Sequence, residues 1–170
     1  MSAKTTLQGL TLIEIMVSLA LVVIITLVSV PSFISLYQKY HLSTSTENLY
    51  YVLQLARRTA IKNNQTIYVN FQTGDNWCYG LNANTACNCA IANNCTLGTY
   101  NTPKLADISL SATGLTSNNL TFEGTRGATL VSSTITYTIY NQSPAISLKI
   151  SALGNMYLCS ANVSGYPPCT

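Results

Sequence analysis

Charge is what this chain has least of. Asp, Glu, Lys and Arg make up 8% of its 170 residues, against roughly 25% in soluble domains. Eight bases against five acids leave a net +3, too little by itself to mark a nucleic-acid binder. Neither a basic nor an acidic tail is present. Disorder is excluded too, because it needs low hydrophobicity and high charge, and 48% of residues here are hydrophobic. The one histidine, His41, has no recognisable Ser/His/Asp company and reads as a surface residue. The acids Asp75, Asp107 and Glu123 are scattered on loops or strand ends. Phosphate-cradling loops of the Gly-x-Gly-x-x-Gly or Gly-x4-Gly-Lys kind are missing. These absences argue against an enzyme, and they imply no cofactor.

The apolar excess is concentrated at the start. Residues 10–30 (LTLIEIMVSLALVVIITLVSV) form an apolar run of 21. As a helix it would reach about 30 Å, the thickness of a bilayer core. The run is too long for a conventional secretory signal, and no Ala-x-Ala cut site follows it. We therefore expect a transmembrane helix over 10–30. Glu14 alone breaks the pattern. A carboxylate in lipid costs on the order of 2.5–3.5 kcal/mol, and such residues are functional by default. The next base along the chain is Lys39. A nearer positive partner would be an α-amino group at position 10, which exists only if the chain is cut there.

Gln8-Gly9-Leu10-Thr11-Leu12-Ile13-Glu14 resembles the leader of type IV pilins and type II secretion pseudopilins. The resemblance implies that residues 1–9 are a leader, removed by a prepilin peptidase between Gly9 and Leu10, with N-methylation of Leu10. The family usually has Phe or Met at that position, so Leu10 is a departure. It also implies that the Glu14 carboxylate of one subunit meets the α-ammonium of its neighbour during filament assembly. At about 4 Å and an effective dielectric near 20, such a pair attracts by about 4 kcal/mol before desolvation. Pilins often carry a proline where Pro31 stands, and a proline there kinks the helix or marks the end of the span.

Beyond Pro31 the apolar residues adopt helical spacing: Phe33, Leu36, Tyr37, Tyr40, then Leu49, Val52, Leu53, Ala56 and Ala60. An amphipathic continuation is expected over 31–62. A break is expected near 41–45, where Ser43 or Thr44 with Glu47 could form a capping box restarting the helix. Residues 66–72, 133–140 and 145–151 alternate apolar and polar, as half-buried antiparallel strands do. Shorter strands are expected at 77–81, 108–110, 120–123 and 156–159. The fold class is α+β and pilin-like: a long N-terminal helix laid on an antiparallel sheet, with the globular domain at 63–170.

The stretch Leu120-Thr121-Phe122-Glu123-Gly124-Thr125-Arg126-Gly127, two alternating strands, then Lys149-Ile150-Ser151-Ala152-Leu153-Gly154 is similar to the GspH/FimT family of minor pilins and pseudopilins. That family carries a Phe-and-Gly turn and a late strand ending in Gly. Residues 77–104 match least. The resemblance implies a structural role in starting pilus assembly or forming its tip. Its partners would be other minor pilins, the major pilin, an inner-membrane assembly platform and the prepilin peptidase. It also leaves open a type II secretion pseudopilin. Some relatives bind DNA through Gly-Arg-x-Arg after the last long strand. Here Gly154-Asn155-Met156-Tyr157 lacks both arginines, which disfavours DNA. The bases Arg57, Arg58 and Lys62 near the helix C-terminus read as a solvated helix end, Arg58 and Lys62 sharing one face, with Lys104, Arg126 and Lys149 elsewhere.

Six cysteines, Cys78, Cys87, Cys89, Cys95, Cys159 and Cys169, all follow the apolar run. With the N-terminus inside, they face an oxidising compartment where disulfides persist. A Cys87–Cys89 bond would be strained. That leaves 78–87 with 89–95, or 78–89 with 87–95, and Cys159–Cys169 to close the C-terminal loop. The spacing lacks the paired knuckles of a structural zinc site, so no metal is expected. The sequons at Asn64 and Asn119 read as accidents of an Asn/Thr-rich chain.

Overall fold

The computed structural model describes residues 11–101, 108–139 and 144–169, excluding the side chains of 28–32. The chain divides into two compact units, residues 1–37 and 38–170. A single helix, α1 (Leu12–Asn63), runs from one into the other.

In the first unit, the side chains from Leu12 to Leu27 are all exposed. Among the described residues no helix is long and apolar enough to cross a membrane. The apolar run expected over 10–30 extends past the described side chains at both ends.

Among the described residues the second unit contains eight strands in two antiparallel sheets. The first sheet has the order β3-β2-β1-β5, from β1 (Ile67–Gln72), β2 (Cys78–Ala83), β3 (Gly98–Asn101) and β5 (Asn119–Phe122). The second has the order β4-β6-β7-β8, from β4 (Ile108–Thr113), β6 (Ser133–Ile139), β7 (Ala145–Ile150) and β8 (Met156–Cys159). One sheet was the expectation. The physical reason for two is that alternation sets which face is buried but not which strand is the neighbour. Gly74, after β1, makes an isolated bridge to Leu110 of β4, with Leu110 O accepting from Gly74 N at 2.8 Å.

The alternating strands bury the residues their period selects. Ile67, Val69 and Phe71 are buried, as are Ile135, Tyr137 and Ile139, and Ile146, Leu148 and Ile150. They join Leu42, Leu49, Leu53, Ala56 and Ala60 of α1 in one continuous core. Trp77 Nε1–H donates to Ile108 O at 2.9 Å, satisfying a buried indole across that core. Strand β3 escaped the sequence reading because its residues are half-buried at most, with no alternation to betray them.

Two expectations for the helix fail. α1 is unbroken through residues 41–45. There Thr46 is fully buried, its hydroxyl donating to Leu42 O at 2.8 Å one turn earlier. A hydroxyl satisfied within its own helix needs no break to reach a partner. The capping box at Glu47 is absent for a related reason: its carboxylate accepts from Tyr166 Oη at 2.7 Å. The face formed by Phe33, Leu36, Tyr37 and Tyr40 is exposed, so the buried stripe of α1 starts at Leu42.

Candidate assembly segment

The candidate residues at the start of the chain are Gly9, Leu10, Glu14 and Pro31. Gly9 and Leu10 lie outside the described residues. Glu14 occupies the first turn of α1. Its backbone N–H faces Thr11, 3.1 Å from the carbonyl oxygen and 3.4 Å from Oγ1. Thr11-Leu12-Ile13-Glu14 therefore has the Ser/Thr-x-x-Glu spacing of a helix start, a signal the leader reading overlooked. A carboxylate in the first turn also complements the positive end of the helix macrodipole. The Glu14 side chain is exposed, so among the described residues nothing buries its charge. Ser18 Oγ donates to Glu14 O at 2.7 Å, binding a polar side chain back onto the helix. The helix continues through position 31, whose side chain is not described.

In the second unit the glycines singled out from the sequence meet at one side chain. Arg57, on α1, donates through Nε to Gly127 O at 3.1 Å and through Nη2 to Leu153 O at 3.3 Å. Gly127 and Gly154 both have positive φ, 63° and 78°, a conformation glycine adopts without penalty. A Cβ on Gly127 would come 2.8 Å from Arg57 Cγ, and one on Gly154 would come 2.9 Å from Arg57 Nε. Thr129 continues the link: its N–H donates to Ala152 O and its hydroxyl to Ser151 O, at 2.9 and 3.0 Å. The turn after β5 and the turn between β7 and β8 are thus fastened to each other and to α1. Arg57 read as a solvated base in the sequence; only the fold reveals the two carbonyls.

The disulfides are Cys78–Cys89, Cys87–Cys95 and Cys159–Cys169. This selects one of the two pairings the spacing left open. Every cysteine is consumed, and among the described residues no group of His, Cys, Asp and Glu could hold a metal. The first two bridges lie against β2, where a Cβ on Gly80 would strike Cys95 Sγ. Asn70 Oδ1 accepts from Cys89 N at 3.2 Å, and Asn94 Oδ1 from Asn88 N at 2.6 Å.

The candidate DNA segment opens on Gly154, buried beneath Arg57, and runs into β8. Arg58, Lys62 and Arg126 are exposed, and Lys149 Nζ lies 6.0 Å from the centroid of the Tyr157 ring. Lys104 and Asp107 lie outside the described residues. His41 is half-buried and meets Tyr40 edge-on at 5.9 Å.

Comparison with known proteins agrees with this geometry. No curated protein matches the chain by sequence. Two crystal forms of the Pseudomonas aeruginosa (strain PAO1) type IV minor pilin FimU share its fold. One, in space group P21, is 20% identical with a TM-score of 0.54, covering 72% of this chain and 94% of that one. The other, in P65, is 19% identical with a TM-score of 0.52, covering 71% and 98%. At such identity the likeness establishes the pilin-like α+β fold alone. Residues 45–154 match the family described as type II transport protein GspH, a span that holds the Arg57 clamp, both motif glycines and seven of the eight strands. With that span covering well over half of its length, the chain belongs to the GspH family of pilin-like proteins.

Proposed function

We propose that this protein is a minor pilin, a structural subunit that enters a type IV pilus at or near its tip and helps initiate assembly. The family match over residues 45–154 carries the reading. The N-terminal segment supports it with Gly9, Leu10 and Glu14 at the spacing of a processed pilin. In this mechanism a prepilin peptidase removes residues 1–9 and methylates Leu10. Residues 10–30 anchor the subunit in the inner membrane, with the globular domain on the periplasmic side. Glu14 then pairs with the α-ammonium of a neighbouring pilin, setting axial register, while Pro31 bends the helix. Its partners are other minor pilins, the major pilin and the inner-membrane assembly platform. No catalytic chemistry is required of it.

Mutation tests the central step. Glu14→Ala should leave the protein in the membrane yet deplete it from sheared filaments, scored by immunoblot of both fractions. Normal recovery of the variant in filaments would remove Glu14 from the mechanism. Mass spectrometry of the N-terminus should find Leu10 as the first residue, carrying one methyl group. The type II secretion pseudopilus is the second reading, favoured by the name of the matched family. Deletion separates the two: loss of surface pili supports the first, and loss of protein secretion with pili intact supports the second.

A further inference from the structure

A groove of about 610 Å³ opens between α1 and the sheet edge at β3, within the roughly 300–1,000 Å³ typical of ligand sites. Its aromatic lining is ordered as a stack. Tyr100 lies on Tyr79 with ring centroids 4.9 Å apart and 17° between planes, and Tyr79 lies on Trp77 at 6.1 Å and 6°. Trp77 and Tyr79 are buried, whereas Tyr100 is 41% exposed and Tyr51, across the groove on α1, is 66% exposed. The polar lining is amide and hydroxyl, with Asn48 on the helix and Asn101 on the strand. A second concavity of about 290 Å³ adjoins it through Trp77 and Asn101, and adds Gln72 and Asn76. Among the described residues neither concavity is lined by an Asp, Glu, Lys, Arg or His.

This chemistry selects its ligand. A nucleic acid needs bases on the wall and a cation needs carboxylates, and the described lining holds neither. A purely apolar ligand would strand the amides without partners. A sugar satisfies both halves: its C–H faces lie on exposed aromatic rings, and its hydroxyls donate to and accept from amides. An extended peptide could instead pair with the edge of β3. That edge is four residues long and starts at Gly98 with φ 143°, outside strand geometry, so it offers little ladder. We propose that the groove between α1 and β3 binds a neutral oligosaccharide, with Tyr51 and Tyr100 as stacking platforms and Asn48 and Asn101 as hydroxyl readers.

The single tryptophan, Trp77, lines both concavities and serves as the reporter. Full-length protein is held in micelles of a detergent without a sugar headgroup. It is titrated with chitotriose, maltotriose, cellotriose and N-acetyllactosamine, then with sialyllactose and an alternating Val/Thr hexapeptide. At least one neutral sugar should shift the Trp77 emission, with an affinity unchanged by added salt. Tyr51→Ala and Asn48→Ala, both at exposed helix positions, should each weaken binding at least about tenfold while all disulfides form and the melting temperature holds. Tyr100→Phe should bind as the native protein does, because the ring is kept. The proposal falls if no neutral sugar binds by fluorescence or calorimetry. It falls equally if only the peptide or sialyllactose binds, or if Tyr51→Ala binds as tightly as the native chain.

Discussion

The Tyr137 hydroxyl is buried with no hydrogen-bond partner among the described residues, while its ring packs edge-on against Trp77 at 5.0 Å. A phenol kept for its ring alone carries a desolvation cost of about 1–3 kcal/mol. Tyr137→Phe should therefore raise stability by about 1 kcal/mol or more, read as a higher urea midpoint at unchanged slope. Burial also sets the pH dependence. It pushes the Tyr137 phenol well above its ordinary value of 10.0, with Tyr79 adding to the shift, and it pushes Tyr79 up as well. Each group then holds its proton in the folded chain after the unfolded chain has released it. Stability is full below about pH 10 and is lost as pH rises beyond that. Native protein should hold its stability from pH 8 to about pH 10 and lose it as pH rises from about 10 to 12, and Tyr137→Phe should lose less over that upper interval. Equal losses would mean that this phenol does not titrate on unfolding.

At the scale of elements, Arg57 carries more than a surface base would. Its fork fastens α1 to the turn after β5 and to the turn between β7 and β8. Arg57→Ala removes two charge-assisted hydrogen bonds and leaves carbonyls at 127 and 153 to find water, a loss of about 2–3 kcal/mol. Arg57→Lys should recover little, since one ammonium cannot reproduce a planar fork. Gly127→Ala should cost a similar amount, because the positive φ and the Arg57 side chain both oppose a methyl group. Combining it with Arg57→Ala should cost less than the sum, a coupling that a double-mutant cycle in urea measures. The same elements show what sequence carries and what it does not. Strands β1, β6 and β7 were legible because their apolar residues recur every second position and are buried there. The false break at 41–45 arose from reading Ser43 or Thr44 with Glu47 as a capping box, when the Glu47 carboxylate accepts from Tyr166 and Thr46 meets its need on the preceding turn. Glu14 was legible both as an anomaly in an apolar run and from its spacing to Gly9; its spacing from Thr11 became meaningful once a helix began there.

For the molecule as a whole, partnership between strands was the illegible quantity. Alternation marked the faces, yet nothing local separates the set β1, β2, β3, β5 from the set β4, β6, β7, β8. The groove shares that origin, since Tyr51 and Tyr100 stand far apart in sequence and meet only because β3 pairs with β2. The disulfides divide along the same line. Cys78–Cys89 and Cys87–Cys95 brace the β2–β3 side of one sheet, while Cys159–Cys169 closes the loop after β8 at the edge of the other. Bridges that share no neighbour act independently, whereas two bridges within one loop do not. The paired variant Cys159→Ser/Cys169→Ser should cost roughly 2–4 kcal/mol. Adding it to Cys87→Ser/Cys95→Ser should give a loss equal to the sum within about 0.5 kcal/mol. Adding Cys78→Ser/Cys89→Ser to Cys87→Ser/Cys95→Ser should give a loss that departs from the sum, because the two bridges interlock over residues 87–89 and their four cysteines pack in one buried cluster. Urea unfolding of the three paired variants and their combinations decides the matter. Additivity inside the loop, or strong coupling between the sheets, would show that the core does not partition the restraint as the strand order does.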